Sequence, residues 1–332
     1  MSTVKNYLSL IKFSHTIFAM PFAMIGFCLG VHYWNDYTGF LSHSFTGFAV
    51  VGVGPAEGEK ITKEFFRYMP QSLEDVVMKF ALVIGCMVFA RSAAMSFNRW
   101  LDVKFDALNP RTAIREIPKG IISKNSALRF VIFNCIAFVG CTWFINPLCF
   151  VLSFVALAVV LGYSYTKRFT PLCHLVLGVG LSLAPIGAFL AVVGHFALLP
   201  LLFSFTVIFW VSGFDIIYAL QDEEFDKSQK LYSMPAWLGK AKALHVSELL
   251  HLLSTVCVVY AGYIGHFGWW YWVGVVIFMT MLVYQHRLVK PNDLSRVNLA
   301  FMTANGIASV VFAVFVITDL FVNNGPFGVR IF

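Results

Sequence analysis

Two short acidic stretches carry the residues best suited to chemistry. The first holds Asn98, Asp102 and Asp106 at steps of four, and the second holds Asp215, Tyr218, Asp222 and Asp226 at steps of three, four and four. On a helix either spacing stacks its side chains on one face. Two carboxylates on one face do not ionise together cheaply unless a cation lies between them. Hard oxygen ligands that leave room for water and phosphate oxygens suit Mg²⁺. Two such pairs facing each other would hold one or two Mg²⁺ bridging a diphosphate, with Asp102, Asp106, Asp222 and Asp226 as ligands. Asn98 and Tyr218 lie one turn behind them. Arg111 and Arg115, with Lys119 nearby, and separately Lys167 and Arg168, offer contacts to the remaining phosphate oxygens. A single D-x-x-x-D at a helix end usually does no more than face water. Here there are two, each continuing an apolar run, and that repetition favours a site.

Two charges lie deeper. Arg91 precedes Asn98 by seven residues, and Asp215 precedes Asp222 by seven. Two helical turns place each about 10 Å further along the same face. An Arg at the centre of a membrane helix costs about 2.5–3.5 kcal/mol on insertion scales, which favours a polar cavity over lipid. Pairing between helices is the structural alternative for both. Lys12 and His15 near the N-terminus are candidates for an aromatic carboxylate, against the plainer reading of a juxtamembrane charge and a packed His.

The elements that position these residues follow from composition. Of 332 residues, 59% are hydrophobic and 12% charged, and mean hydropathy is +0.76. Soluble domains are about 25% charged, so a soluble fold and a disordered chain are both excluded. Nine apolar segments stand out, at 10–32, 76–101, 127–145, 147–165, 174–196, 198–221, 243–265, 267–288 and 298–321. They lack the alternation of a membrane β-barrel, so the expectation is an all-α polytopic membrane protein with nine transmembrane helices around a central cavity. The acidic stretches close the second and sixth of these helices, which looks like an internal duplication. Alternate connections hold 17 Lys and Arg against five in the opposite set. The positive-inside rule then places the N-terminus in the cytoplasm and the C-terminus outside, in a bacterial inner membrane. Basic residues confined to connections record orientation, and no nucleic-acid partner is expected. The seven cysteines form no C-x-x-C pair and read as small apolar residues. Residues 33–75 form a long connection of mixed charge on the non-cytoplasmic side, whose apolar patch, Phe48 to Val53, is too short to span. The whole chain, 1–332, reads as one domain carrying that insertion.

At the acidic stretches the sequence resembles the UbiA superfamily of intramembrane aromatic prenyltransferases, and most closely its 4-hydroxybenzoate polyprenyltransferase-like branch. Asn98, Asp102 and Asp106, followed by Asn109-Pro110-Arg111-Thr112, resemble the first family motif. Asp215, Tyr218, Ala219, Asp222 and Asp226 resemble the second, and Tyr163 to Thr170 is similar to the segment after the family's fourth helix. The opening from Ile11 to Pro21 resembles menaquinone-pathway members more than ubiquinone enzymes, with Lys12 where relatives often carry Arg. The likeness spans nearly the whole chain except 33–75, since relatives join their first two helices briefly. It implies a nine-helix fold and Mg²⁺-dependent transfer of a polyprenyl group from polyprenyl diphosphate to an aromatic carbon, in ubiquinone or menaquinone biosynthesis.

The residues agree with that chemistry. Metal and Arg or Lys stabilise a departing diphosphate, and an allylic cation needs water excluded and aromatic faces close by. Phe97, Trp100, Tyr163 and Tyr218 are candidates for those faces. The expected partners are polyprenyl diphosphate, a small aromatic acid (4-hydroxybenzoate or a dihydroxynaphthoate) and membrane lipid, with no obligatory protein partner. Prenyl transfer to haem, chlorophyllide or a glycerol phosphate lipid would use the same metal site. A transporter is the alternative from another class, but transporters place their sites near the midplane on broken helices, and these carboxylates lie at helix ends.

Overall fold

A computed structural model describes residues 3–11, 18–44 and 68–323. Lys12, His15 and most of the expected insertion (45–67) lie outside the described residues. The elements are α1 (Thr3–Leu10), α2 (Met20–Ser44), α3 (Leu73–Leu101), α4 (Val103–Leu108), α5 (Lys124–Ile145), α6 (Pro147–Thr166), α7 (Cys173–Val193) and α8 (Leu198–Ala219). They continue with α9 (Glu223–Ser228), α10 (Met234–Leu238), α11 (Lys240–Ile264), α12 (Trp269–Leu288) and α13 (Asn305–Val322). A 3₁₀ turn at Leu220–Asp222 joins α8 to α9, and a π-helical turn at Leu299–Ala304 leads into α13. No strand occurs among the described residues.

Local chemistry explains several boundaries. Ser72 caps α3 by accepting from the Asp75 N–H at 3.2 Å. Asn146 caps α6 by accepting from the Cys149 N–H at 2.8 Å, with Pro147 in the first turn, where its missing N–H costs nothing. The same Asn146 donates to the Leu190 carbonyl at 2.9 Å, tying α6 to the end of α7. Asp319 of α13 caps a different helix. It accepts from the Gly268 N–H at 2.8 Å and the Tyr271 N–H at 3.2 Å, satisfying the first turn of α12.

The long helices lie close to the apolar segments expected, with one exception. The first helix was expected over 10–32, but α2 begins at Met20, with Pro21 in its first turn, and runs to Ser44. Proline's fixed φ favours a helix start at that point. The helix therefore extends twelve residues, 33–44, into a stretch expected to be a loop.

Six helices among the described residues are long and apolar enough to cross a membrane: α5, α6, α7, α8 with its short continuation, α11, and α13 with its π turn. A seventh apolar stretch, Met20–Tyr33, is shorter. The other long helices are more polar, with Lys79, Arg91 and Arg99 in α3 and Gln285, His286 and Arg287 in α12. The chain is an all-helical integral membrane protein.

Around the site, α7 forms the shared wall, packed on α8, α2 and α6, while α3 packs on α5 and α6. The α2–α7 crossing depends on Gly26, where a Cβ would sit 1.9 Å from the Pro185 carbonyl oxygen. Behind α8, the buried aromatics Phe22, Phe203, Trp210, Tyr271, Phe278 and Phe312 form the main core.

Candidate active site

A cavity of about 590 Å³ opens between α3, α5, α6, α7 and α8, and both acidic stretches line it. The helix expected to carry the first stretch unbroken is interrupted at Asp102, which closes α3 and precedes α4. The Asp102 N–H still bonds to the Asn98 carbonyl at 2.9 Å and the Asp106 N–H to the Asp102 carbonyl at 2.8 Å, so the four-residue spacing survives the break. In the second stretch, the 3₁₀ turn carries Asp222 and α9 carries Asp226.

The aspartates are not bare. Asp102 is buried and accepts from Arg168 Nη2 at 2.8 Å, with Lys167 Nζ at 2.7 Å. Asn98 Nδ2 sits 3.4 Å from both Asp102 and Ser164. Asp106 receives Arg115 Nη1 on both oxygens at 2.8 Å. Asp222 accepts from Arg111 Nε at 3.1 Å, from Arg111 Nη2, and from Asn109 Nδ2 at 3.1 Å. Arg111 Nη1 also donates to the Tyr218 hydroxyl at 2.8 Å. Burial alone would lower the Arg111 pKa, but its bonds to Asp222 and Tyr218 raise it overall, so the guanidinium keeps its charge. Among the described residues, Asp226 accepts from the Ser233 hydroxyl alone, at 2.8 Å.

Arg111, Arg115, Lys167 and Arg168, the residues expected to contact phosphate oxygens, are paired with the carboxylates in the structure. A cavity that gathers carboxylates and cations lowers its energy by pairing them. The pairs also join the two acidic stretches, because Asn109 and Arg111 follow the first and bond to Asp222 of the second.

The deeper residues line the same cavity. Arg91 Nε is buried without a hydrogen-bond partner among the described residues. Asp215 accepts from His174 Nδ1 at 2.7 Å, and the Met234 N–H approaches His174 Nε2 at 3.3 Å. A backbone N–H at Nε2 places the ring proton on Nδ1, where it points at Asp215. Tyr163 and Tyr218 line the cavity, and Phe301 packs against Tyr218 in a tilted pair with centroids 4.2 Å apart. Phe97 and Trp100, the other aromatic candidates, stack on each other at 5.6 Å and do not line it.

Ser164, His174, Ser233 and Phe301 were not singled out from the sequence. Only His174 left a signal there, as a histidine opening an otherwise apolar run.

The donor set bears on the metal question. No group of three or more His, Cys, Asp or Glu lies close enough to hold a metal ion among the described residues. Mg²⁺ does not need one, because it keeps several waters and uses one or two carboxylates plus substrate phosphates. Two carboxylates per stretch, at the mouth of one cavity and beside four cations, fit that pattern.

The model of the UbiA prenyltransferase family matches residues 70–312. The chain belongs to that family. It is 29% identical over 246 residues to a 4-hydroxybenzoate octaprenyltransferase of Francisella tularensis subsp. mediasiatica, covering 74% of this chain and 86% of that one. A 4-hydroxybenzoate octaprenyltransferase of Alkalilimnicola ehrlichii is 26% identical over 242 residues, covering 73% and 82%. Among solved structures, an apo UbiA homologue from Aeropyrum pernix K1 superposes with TM-score 0.69 at 25% identity, covering 93% of this chain and 98% of that one. A UbiA homologue from Archaeoglobus fulgidus bound to GPP and Mg²⁺ superposes with TM-score 0.61 at 17% identity, covering 95% and 99%, which shows the shared fold. The protein is a membrane prenyltransferase, and the family match includes both acidic stretches and the loops that pair with them.

Proposed function

We propose that the enzyme transfers a polyprenyl group from polyprenyl diphosphate to an aromatic hydroxy acid, 4-hydroxybenzoate or a dihydroxynaphthoate, in ubiquinone or menaquinone biosynthesis. The carrying observation is the bridge from Arg111 to Asp222, which brings both acidic stretches and their cations to one cavity mouth. The relatives named 4-hydroxybenzoate octaprenyltransferase support the substrate class, and the homologue bound to GPP and Mg²⁺ supports the cofactor.

In this reading Asp102, Asp106, Asp222 and Asp226 hold Mg²⁺, which when bound neutralises charge developing on the departing diphosphate. Arg111, Arg115, Lys167 and Arg168 exchange their carboxylate partners for phosphate oxygens, keeping a charge-assisted bond throughout. Asn98, beside Asp102 and Ser164, orients the first acidic pair. Tyr218, held by Arg111 and Phe301, presents its ring to the allylic carbon. Arg91 receives the acceptor's carboxylate: an unpartnered guanidinium nitrogen in an apolar wall is a ready anion contact. Asp215, oriented by His174, receives the acceptor's hydroxyl. Lys12 and His15, outside the described residues, are the further candidates for contact with the acceptor's carboxylate.

The reading extends to architecture. All nine apolar segments cross the membrane, the N-terminus and acidic stretches face the cytoplasm, and the C-terminus lies outside in a bacterial inner membrane. Residues 1–332 act as one unit without a required protein partner.

The test is prenyl transfer in purified membranes with Mg²⁺ and a long-chain polyprenyl diphosphate, offering 4-hydroxybenzoate, 1,4-dihydroxy-2-naphthoate and 1,4-dihydroxy-6-naphthoate separately. Asp102→Asn serves as the blank. A product from one acceptor, absent in the blank, is the expected result. No product from any of the three, with the protein intact and diphosphate still bound, would move the function to another acceptor.

A further inference from the structure

The π-helical turn at Leu299–Ala304 touches the cavity, because it carries Phe301. A π turn is a local widening of the helix, and such turns recur at functional sites. This one is held by a side chain. Asn305 is fully buried, and its Nδ2 donates to the Ala300 and Phe301 carbonyls, both at 3.1 Å. Its Oδ1 accepts from the indole Nε1–H of Trp210 at 2.9 Å, reaching across to α8. Trp210 is itself fully buried, so its N–H has no recourse to solvent.

The chain of contacts then runs to the acidic site. Phe301 packs against Tyr218 in a tilted pair, sits edge-on to Phe18 and Phe214 with centroids 5.3 and 5.4 Å away, and lines the cavity. Tyr218 bonds to Arg111, which bonds to Asp222. A buried polar network of this kind specifies one arrangement, because every alternative leaves a donor or carbonyl unsatisfied.

We infer that Asn305, anchored by Trp210, is a positioning residue for prenyl transfer: by clamping the π turn it fixes Phe301, and through Phe301 the ring of Tyr218, against the reacting end of the prenyl chain. The inference deepens the prenyl-transfer reading and rests on it for its kinetic consequence. The amide is matched to the task. Its two N–H groups reach two adjacent carbonyls that the widened turn presents together, while its oxygen takes the indole proton. Leucine has similar bulk and makes none of these bonds. Trp210→Phe removes the indole donor, with some bulk, and keeps an aromatic ring in the core.

The experiment has two arms. In the first, 4-fluorophenylalanine at position 301 is observed by ¹⁹F NMR in detergent-solubilised full-length protein, in otherwise wild-type, Asn305→Leu and Trp210→Phe backgrounds. One resonance in wild type that shifts or splits in both variants is expected; a resonance unchanged in both overturns the inference. This arm needs no turnover, so it decides the positioning role even if every acceptor proves inert and the functional reading falls. In the second, Asn305→Leu and Trp210→Phe lower kcat roughly ten- to hundredfold, as a small misplacement at a reacting centre does, while KM for the prenyl diphosphate stays within about twofold. In a Phe301→Leu background, Asn305→Leu adds little further loss, because both act through one ring. Fully additive losses, or a rise in KM with kcat unchanged, would reduce Asn305 to a fold-stabilising residue.

Discussion

Arg111 occupies a position whose removal pushes two binding reactions in opposite directions. Its guanidinium grips Asp222 through two nitrogens and the Tyr218 hydroxyl through a third. In the proposed reaction Asp222 binds Mg²⁺ and Arg111 binds phosphate, so in the free enzyme the arginine competes with the metal for the carboxylate. The side chains are 33% and 20% exposed, intermediate between a surface and a buried pair. A bidentate pair in that setting is worth about 1–2 kcal/mol. At 1.4 kcal/mol per tenfold, Arg111→Ala tightens the binding of Mg²⁺ alone by roughly five- to thirtyfold. The same substitution removes a charged hydrogen-bond donor to phosphate, worth about 1.5–3 kcal/mol, so pyrophosphate binding in saturating Mg²⁺ weakens by roughly ten- to a hundredfold. Arg111→Lys falls between, keeping the charge but losing the fork. Calorimetric titration of purified protein in nanodiscs, first with Mg²⁺ and then with pyrophosphate at saturating Mg²⁺, measures both. Unchanged or weaker Mg²⁺ binding in Arg111→Ala would refute the idea that the pair guards the metal site, whatever happens to the diphosphate.

Three further outcomes follow from the same geometry. Asp102→Asn and Asp222→Asn each reduce prenyl transfer by roughly a hundredfold or more while the protein inserts normally, since charge stabilisation at a leaving group carries that much; EDTA abolishes wild-type activity and Mg²⁺ restores it, whereas retained activity in either variant removes that aspartate from the site. Gly26→Ala forces a methyl against the Pro185 carbonyl, 1.9 Å from where a Cβ would sit, so thermal unfolding in detergent shows a large loss of stability, on the order of 1–3 kcal/mol; an unchanged melting temperature would show that the α2–α7 crossing has slack. Asp319→Ala leaves the Gly268 and Tyr271 N–H groups without their acceptor, costing about 2–4 kcal/mol, and amide exchange quickens first at the start of α12 rather than uniformly.

Much of this molecule was legible in the sequence, because apolar runs and four-residue spacings are local signals. The helices α3, α5, α6, α7, α8, α11 and α12 begin and end close to the segments read from hydropathy, and the acidic residues line one cavity as their spacing required. Helix α2 was misread for a local reason as well: an apolar run cannot say where helix begins within it, and Pro21 was the better marker. What hydropathy could not supply is partnership across the fold. His174 lies 41 residues from Asp215, and Trp210 lies 95 from Asn305. No spacing rule relates such pairs; only the packing of α7 on α8, and of α8 near the π turn, brings them together.

The same limit applies to the cations. From composition, a basic residue near an acidic stretch and a basic residue awaiting a phosphate look alike. The structure shows the first role, and the proposed reaction adds the second. Where carboxylates and guanidinium groups gather at one cavity, leaving either sign uncompensated is costly, and the structure holds them as internal ion pairs: Arg115 on Asp106, Lys167 and Arg168 on Asp102, Arg111 on Asp222. In the proposed reaction, a diphosphate bound together with Mg²⁺ would give both members of each pair a new partner of opposite charge, whereas either ligand alone would leave half of them uncompensated. That proposal predicts joint binding of metal and diphosphate, with Asp226, which has Ser233 in place of a cation, the carboxylate from which the exchange would begin.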